Sequence, residues 1–412
     1  MNAVISPTLA REGEADFGFH ELFFSRTDTR GVILSGNEVF RRVSGYGWND
    51  LLGAPHKVVR HPDTPRGMFR ILWNALGNGN PMGGYVKNRA RNGEYYWVFA
   101  VLLPAPGGFL SVRMKPSTPL FARVREVYAE LSQRERTERL DPDQGAKALR
   151  DFAASEGFSS YTSFMASAMG QELAARDAKL GRLTDVRTTQ LIALNTSLEE
   201  VSREQRNLLR SFEALQSVPN NMRIIASRLE PSGGPVSAIS ENYRSSSQVI
   251  SERLRSFVAG QDNLCDRVSR QASKALFLIG AYRVLSEMRR NFDDAMPVPG
   301  IDWAHERQML TEIEAQAQRD TGTAMEQAIA HAEVLGRASA EIRRQMLGLD
   351  TIRVLGRVET GRMRGTNSHL SATIDQLDVS HSDIRLRLET IMRLSEGIGT
   401  TMRMFQRTQR GA

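Results

Sequence analysis

Between Asn37 and Trp97 the chain gathers the side chains best able to do chemistry. Arg60-His61-Pro62-Asp63 sets a permanent cation, an imidazole and a carboxylate within four residues, with Asn37 upstream and Lys87-Asn88 downstream. Phe69 and Trp73 stand one helical turn apart, and Trp97 follows in a β-like run. Amides, cations and flat aromatic surfaces are binding groups. The pattern holds no nucleophile–base pair, no metal-ligating quartet and no phosphate loop. Gly31, Gly36, Gly77, Gly79, Gly83 and Gly84 are spaced as turn glycines, not as G-x-G-x-x-G. The single cysteine, Cys265, leaves no internal disulfide and no Cys-rich zinc site. The chain is expected not to be an enzyme.

The elements that must hold these residues follow from local signals. Asn37-x-x-Phe40, then Ser44-Gly45-Tyr46, reads as a helix entering a tight bend. The Pro-locked run at residues 60–63 predicts a helix start, with Asp63 as N-cap and Pro65 in the first turn. Gly93 is a turn between β-like runs at 85–88 and 95–103, and a further strand is expected at 108–114. Strand, short helices, hairpin and strand imply an α+β domain, an antiparallel sheet with flanking helices.

That order matches a PAS domain, and the motifs resemble more narrowly the PAS domains of bacterial aerotaxis receptors. Phe40-x3-Ser44-Gly45-Tyr46, Arg60-His61-Pro62-Asp63-x-Pro65, Trp73-x-x-Leu76, Val86-Lys87-Asn88-Arg89 and Tyr96-Trp97-Val98 recur there in this order. One departure is Met82 after Pro81, where that family usually carries Trp. The resemblance implies non-covalently bound FAD and redox or oxygen sensing. A flavin needs a flat apolar slot, a polar edge that answers charge at the ring, and cations for its phosphates. Phe69, Trp73 and Trp97 are expected to form the slot, and Asn37 and Asn88 to meet ring heteroatoms. Arg60, His61 and Lys87 are expected at the phosphates or ring edge, with Asp63 capping the helix that presents them. Two other readings stay open: a haem-based PAS sensor ligated by His56 or His61, and a cofactor-free PAS and coiled-coil adaptor or scaffold.

The bulk composition fits a cytoplasmic signalling protein. The 412 residues exceed one compact domain, and the net charge of +7 comes almost wholly from arginine. Arginines spread along helices read as solvated faces, so no nucleic-acid partner is expected. Residues 1–14 lack the apolar core of a signal peptide. The longest apolar stretch, 275–285, is interrupted by Gly280 and Arg283 and is too short to span a bilayer, so no membrane insertion is expected.

After Pro119 the composition turns helical. Residues 119–162 read as a helical linker, broken at Asp141-Pro142 and at Gly157. Leu191, Leu194, Leu198, Val201, Gln205, Leu208, Phe212, Leu215, Pro219 and Met222 follow 3-4 spacing, a coiled-coil seam. A Gly/Pro-rich turn at 230–235 reverses the chain, and the seam resumes at Val236, Tyr243 and Ile250. A further seam runs from His331 to Ile352, and a longer one runs Leu370, Ile374, Leu377, His381, Ile384, Leu388, Ile391, Ser395, Ile398, Met402 and Phe405, with Gly361 and Gly365 as the bend between them. The expected division is a tail (1–18), a PAS sensor domain (19–118), the linker, an antiparallel helical hairpin (163–296) with arms of roughly 60 residues, and a second hairpin (301–412). The two tips resemble the signalling hairpin of methyl-accepting chemotaxis proteins in layout, but lack the segments that family offers to its kinase. A signalling protein other than that kinase is therefore expected at a tip, with Arg223, Arg228 and Glu230 as contact points. A homodimer is a further expectation.

Overall fold

A computed structural model describes residues 13–183, 185–215, 218–229, 234–258, 263–293, 300–362 and 368–410. The chain divides into two compact units, Met1–Asn195 with Ser273–Thr323, and Thr196–Ala272 with Ala324–Ala412.

The first unit is built on a five-stranded antiparallel sheet. Its strands are β1 (Phe23–Asp28), β2 (Ile33–Gly36), β3 (Met82–Arg89), β4 (Tyr95–Ala105) and β5 (Gly108–Met114), in the order β2-β1-β5-β4-β3. The hairpin predicted around Gly93 is the β3–β4 pair, in which Val86 lies opposite Val98. Between β2 and β3 run α1 (Glu38–Ser44), α2 (Trp48–Leu51), a 3-10 turn (His56–Val59) and α3 (Arg66–Gly77). Helix α1 ends as expected, with Gly45 at φ 71°, a left-handed conformation a side chain would strain. The start of α3 differs from the expectation. Pro65 occupies the N-cap without a side-chain bond, and Asp63 instead accepts from Lys87 Nζ at 2.9 Å. Lys87 draws the carboxylate away from the helix amides that a cap would satisfy.

Strand alternation gives the sheet two faces of different character. Phe23, Val86, Tyr96, Val98 and Ala100 look toward α1–α3 and form one core. Phe24, Tyr85, Trp97 and Phe99 look the other way and are covered by helices of the same unit. These are α4 (Pro119–Thr137), α6 (Tyr161–Lys179) and α10 (Leu264–Asp293). Trp97 packs on Phe121 and Tyr128 of α4, and Phe24 on Phe292 of α10. Gly83 lets α10 approach, since a Cβ there would lie 2.4 Å from the Phe277 ring. The stretch read as a linker is thus part of this unit, with Val124, Tyr128 and Leu131 of α4 buried. Its breaks fall where expected. Asp141 caps α5 (Pro142–Ser155) in a capping box with Gln144, and Gly157 takes a positive φ.

The second unit contains helices only. Its seam positions Leu198, Val201, Leu208, Phe212 and Leu215 on α7 (Val186–Leu215) are buried, as are all eleven named on α12 (Ser368–Arg410). Helix α11 (Trp303–Arg362) runs antiparallel to α12, shown by Arg403–Glu333 at 3.2 Å, Arg343–Glu389 at 3.3 Å and Arg357–Asp378 at 2.6 Å. Ile225 of α8 (Val218–Leu229) and Val236 of α9 (Pro235–Val258) pack with Leu370 and Ile374 of α12. The first arm of the first predicted hairpin is interrupted after α6, where Leu180 caps the helix and Gly181 takes a positive φ, whereas α11 is a single helix of 60 residues. Glu230, Gly365 and much of the 230–235 turn lie outside the described residues.

Candidate functional site

The inner face of the sheet and α3 enclose a cavity of about 140 Å³. Its apolar wall comes from Phe69, Leu72, Trp73 and Leu76 of α3, with Val86, Ala100, Leu102 and Phe109 from the sheet. Ser25, Thr27, Asn88, Ser111, Arg113 and His56 supply polar groups, and Gly31, Lys57 and Arg60 complete the lining. The wall follows from spacing: positions 69, 72, 73 and 76 share one helical face, and 109, 111 and 113 share one strand face.

Of the residues expected from sequence, the structure brings Arg60, Phe69, Trp73 and Asn88 together around this cavity. The Arg60 guanidinium lies 3.9 Å above the Phe69 ring, and burial lowers its pKa. Asn88 is bridged to Arg60 through the backbone. Trp97 is not a wall of the slot, because its odd position in β4 turns it to the opposite face. Asn37 is a structural lock: its Oδ1 accepts from Phe24 N and Phe40 N while Nδ2 donates to Leu22 O. Three further residues form a cluster that does not line the cavity. The His61 Nδ1 accepts from Asp63 N at 3.1 Å, and Lys87 sits over the Tyr95 ring with Asp63 beside it. Lys87 and the His61 contact hold Asp63 below its ordinary pKa despite burial, which pulls upward; burial and then Lys87 lower His61. On α8, Arg223 and Arg228 are exposed.

The residue that sequence reasoning missed is Arg113. It is 5% exposed, and among the described residues no carboxylate pairs with it. Its Nη2 donates to Ser25 Oγ at 2.9 Å and contacts His56 Nε2 at 2.7 Å, while Nη1 has no partner. Arginine can only donate, so His56 Nε2 must accept and its proton resides on Nδ1. Burial, followed by the Arg113 charge, pushes His56 down to about 3, so the ring is neutral. Burial alone drops Arg113 to about 10, still protonated near neutrality. Ser111 Oγ, on the same face of β5, is also buried without a partner. The signal was present in the chain. Leu110, Val112 and Met114 alternate with Phe109, Ser111 and Arg113, placing a charge on the inward face of an otherwise apolar strand.

Residues 33–106 match the family model of the PAS fold. This region is a PAS domain. Over 113 residues the chain is 39% identical to the aerotaxis receptor of Escherichia coli (strain K12), covering 26% of this chain and 22% of the receptor. Over 80 residues it is 32% identical to the nitrogen fixation regulatory protein of Klebsiella pneumoniae, covering 19% of this chain and 16% of that protein. The chain thus spans about a fifth or less of the length of these relatives, and the likeness is to the PAS domain. A solved blue-light activated histidine kinase, Erythrobacter litoralis EL346, aligns over 44% of this chain and 68% of its own, at 13% identity and a TM-score of 0.24, too weak to bear on the fold. Among the described residues, no helix is long and apolar enough to cross a membrane.

Proposed function

We propose that this chain is a PAS-type signal-transduction sensor, binding rather than catalytic, whose cavity holds FAD and whose helices pass the state of that cavity to a protein partner. The observation that carries the reading is the pair of buried, unpartnered polar atoms on cavity residues, Arg113 Nη1 and Ser111 Oγ. Buried donors are satisfied in folded proteins with few exceptions, so two orphans on one cavity face call for a ligand. A bound flavin supplies a ring edge of heteroatoms whose charge changes with redox state. Arg113, lacking a carboxylate, is the group free to answer negative charge there. Asn88 offers both a donor and an acceptor, and Phe69, Leu72, Trp73 and Phe109 keep water from the edge. Lys57 and Arg60 are the cations available to phosphates.

The lining chemistry fits the group, while the space is tight. About 140 Å³ falls below the roughly 300–1,000 Å³ of typical ligand pockets. Trp73, 44% exposed and edge-on to Phe109 at 5.7 Å, is the side chain whose movement would widen the cavity. A haem reading is less well served. The Nε2 of His56 is occupied by Arg113, and His61 does not line the cavity.

Refolding the full chain with excess FAD and recording its absorption tests the proposal. Flavin bands that survive gel filtration, with quenched Trp73 emission, are expected. A colourless protein would favour the adaptor reading, and a Soret band after haem addition would favour the haem reading. For the partner, a pull-down with Arg223→Ala/Arg228→Ala is expected to lose proteins that the wild type retains. Identical recovery would leave those arginines as solubilising charges.

A further inference from the structure

Helix α6 carries three buried charges, Glu172, Arg176 and Asp177. Two of them are ion-paired to α10: Arg176 with Glu287 at 2.6 Å, and Asp177 with Arg283 at 2.6 Å. Glu172 differs. It is fully buried, and no cation pairs with it among the described residues. Its Oε1 accepts from Thr118 Oγ1 at 2.7 Å and from Tyr85 Oη at 3.0 Å, and its Oε2 accepts from Ser117 N at 2.8 Å.

One of those donors stands on a strand that lines the cavity and two on the segment that leaves another. Tyr85 stands on β3 between Gly84 and the lining residue Val86, on the face turned away from the cavity. Ser117 and Thr118 follow β5 closely, four and five residues after Arg113, and Thr118 caps α4. A buried carboxylate held only by hydrogen bonds keeps its charge satisfied while all donors stay in place, and here one donor sits on β3 and the others on the segment joining β5 to α4. Burial raises the Glu172 pKa against the pull of Thr118, Ser117 and Tyr85. After α6 and Gly181 the chain continues as α7.

We infer that Glu172 is a positioning residue that couples the cavity strands β3 and β5 to helix α6, so that a change of state in the cavity reaches the helices through its hydrogen bonds. This rests on the sensor reading above. A change felt by Arg113 or Asn88 shifts Ser117, Thr118 or Tyr85 on the far face, and Glu172 must follow or lose its donors. Arg176 reaches the sheet side only through the carbonyls of Phe19 and His20 ahead of β1, away from β3 and β5.

The test is hydrogen–deuterium exchange of the full chain in FAD-loaded form, oxidised and then reduced with dithionite, for wild type and Glu172→Gln. The wild type is expected to change protection in β3, β5 and α6 between the two states. Glu172→Gln is expected to keep the flavin spectrum and the change in β3 and β5, but to lose the change in α6. A purely structural role would alter α6 equally in both states and leave the difference intact. That result, or a wild-type α6 that ignores the redox state, overturns the inference. Should the wild type take up no flavin, Arg113→Met serves as the cavity perturbation. Its effect on α6 exchange is then expected in the wild-type background and absent beside Glu172→Gln, and equal effects in both would overturn the coupling. Tyr85→Phe, which removes a single bond, replaces Glu172→Gln if that variant fails to fold, with a diminished α6 response expected and an undiminished one contradicting.

Discussion

His56 in the PAS domain and His381 in the helical unit each stack on an aromatic ring and touch a polar side chain, yet their surroundings differ in kind. His381 is 2% exposed, with Nδ1 at 2.8 Å from Asp350 Oδ1 and Nε2 at 2.6 Å from Tyr243 Oη. Every polar atom of that ring has a partner on another helix, and Asp350 partly opposes the lowering of the histidine pKa by burial. His56 instead faces a cation, with no carboxylate paired to either among the described residues and an orphaned guanidinium nitrogen beyond it. A saturated buried polar cluster is explained by the fold, here by holding α9, α11 and α12 in register. An unsaturated one on a cavity wall is not explained in that way, and on the reading proposed above the bound flavin completes it.

The comparison can be broken most forcefully at the sheet. If the two faces have separate roles, Trp97→Ala costs about 3–5 kcal/mol of stability in a denaturant titration and leaves FAD affinity of the folded fraction unchanged. A matched loss of affinity would place Trp97 in the site after all. The next effect is acid sensitivity. His56 titrates at about 3 when folded and at 6.5 when unfolded, so the unfolded chain binds the extra proton on acidification. Its contribution is complete above pH 6.5 and falls by about 1.4 kcal/mol per pH unit between there and about pH 3. Subtracting the stability curve of His56→Gln, which keeps an acceptor for Arg113, isolates this slope, and superimposable curves would contradict the buried neutral ring.

Asp350→Ala leaves His381 Nδ1 unsatisfied and is expected to cost roughly 1–3 kcal/mol, with no effect on flavin. Reading melting temperature and FAD affinity on one preparation checks both. The smallest effect is expected for Lys87→Ala. Its ion pair with the half-exposed Asp63 is worth about 0.2–1 kcal/mol, and flavin occupancy should not move. A large drop would return the His61–Asp63–Lys87 cluster to the site.

Sequence alone carried the sheet and both kinds of helix signal far, because they are local. Gly93, Gly45 and the alternation of β3 and β4 specify strands and turns without reference to the rest of the chain. The Phe69–Trp73 pair was legible for the same reason. Trp97 was misplaced because identity was weighed without parity: one step along a strand reverses the face. Asp63 was assigned to a cap because the local rule could not see Lys87, which lies 24 residues downstream and meets it only across the fold. Arg113 escaped because a lone arginine in a short strand resembles an edge charge until both faces of that strand prove covered. The packing of α4 on the sheet was hidden likewise, since its partners Tyr85 and Trp97 come from β3 and β4.

The central claim is that the unsatisfied charge of Arg113 makes the PAS cavity a flavin site. The most direct measurement is the ratio of flavin to protein, after refolding with excess FAD and gel filtration, for wild type and Arg113→Met side by side. Wild type is expected near one flavin per chain, and the variant near zero at undiminished thermal stability, since removing an unpaired buried cation relieves its desolvation cost. Equal occupancy in the two proteins, or a wild type that holds no flavin, would contradict the account.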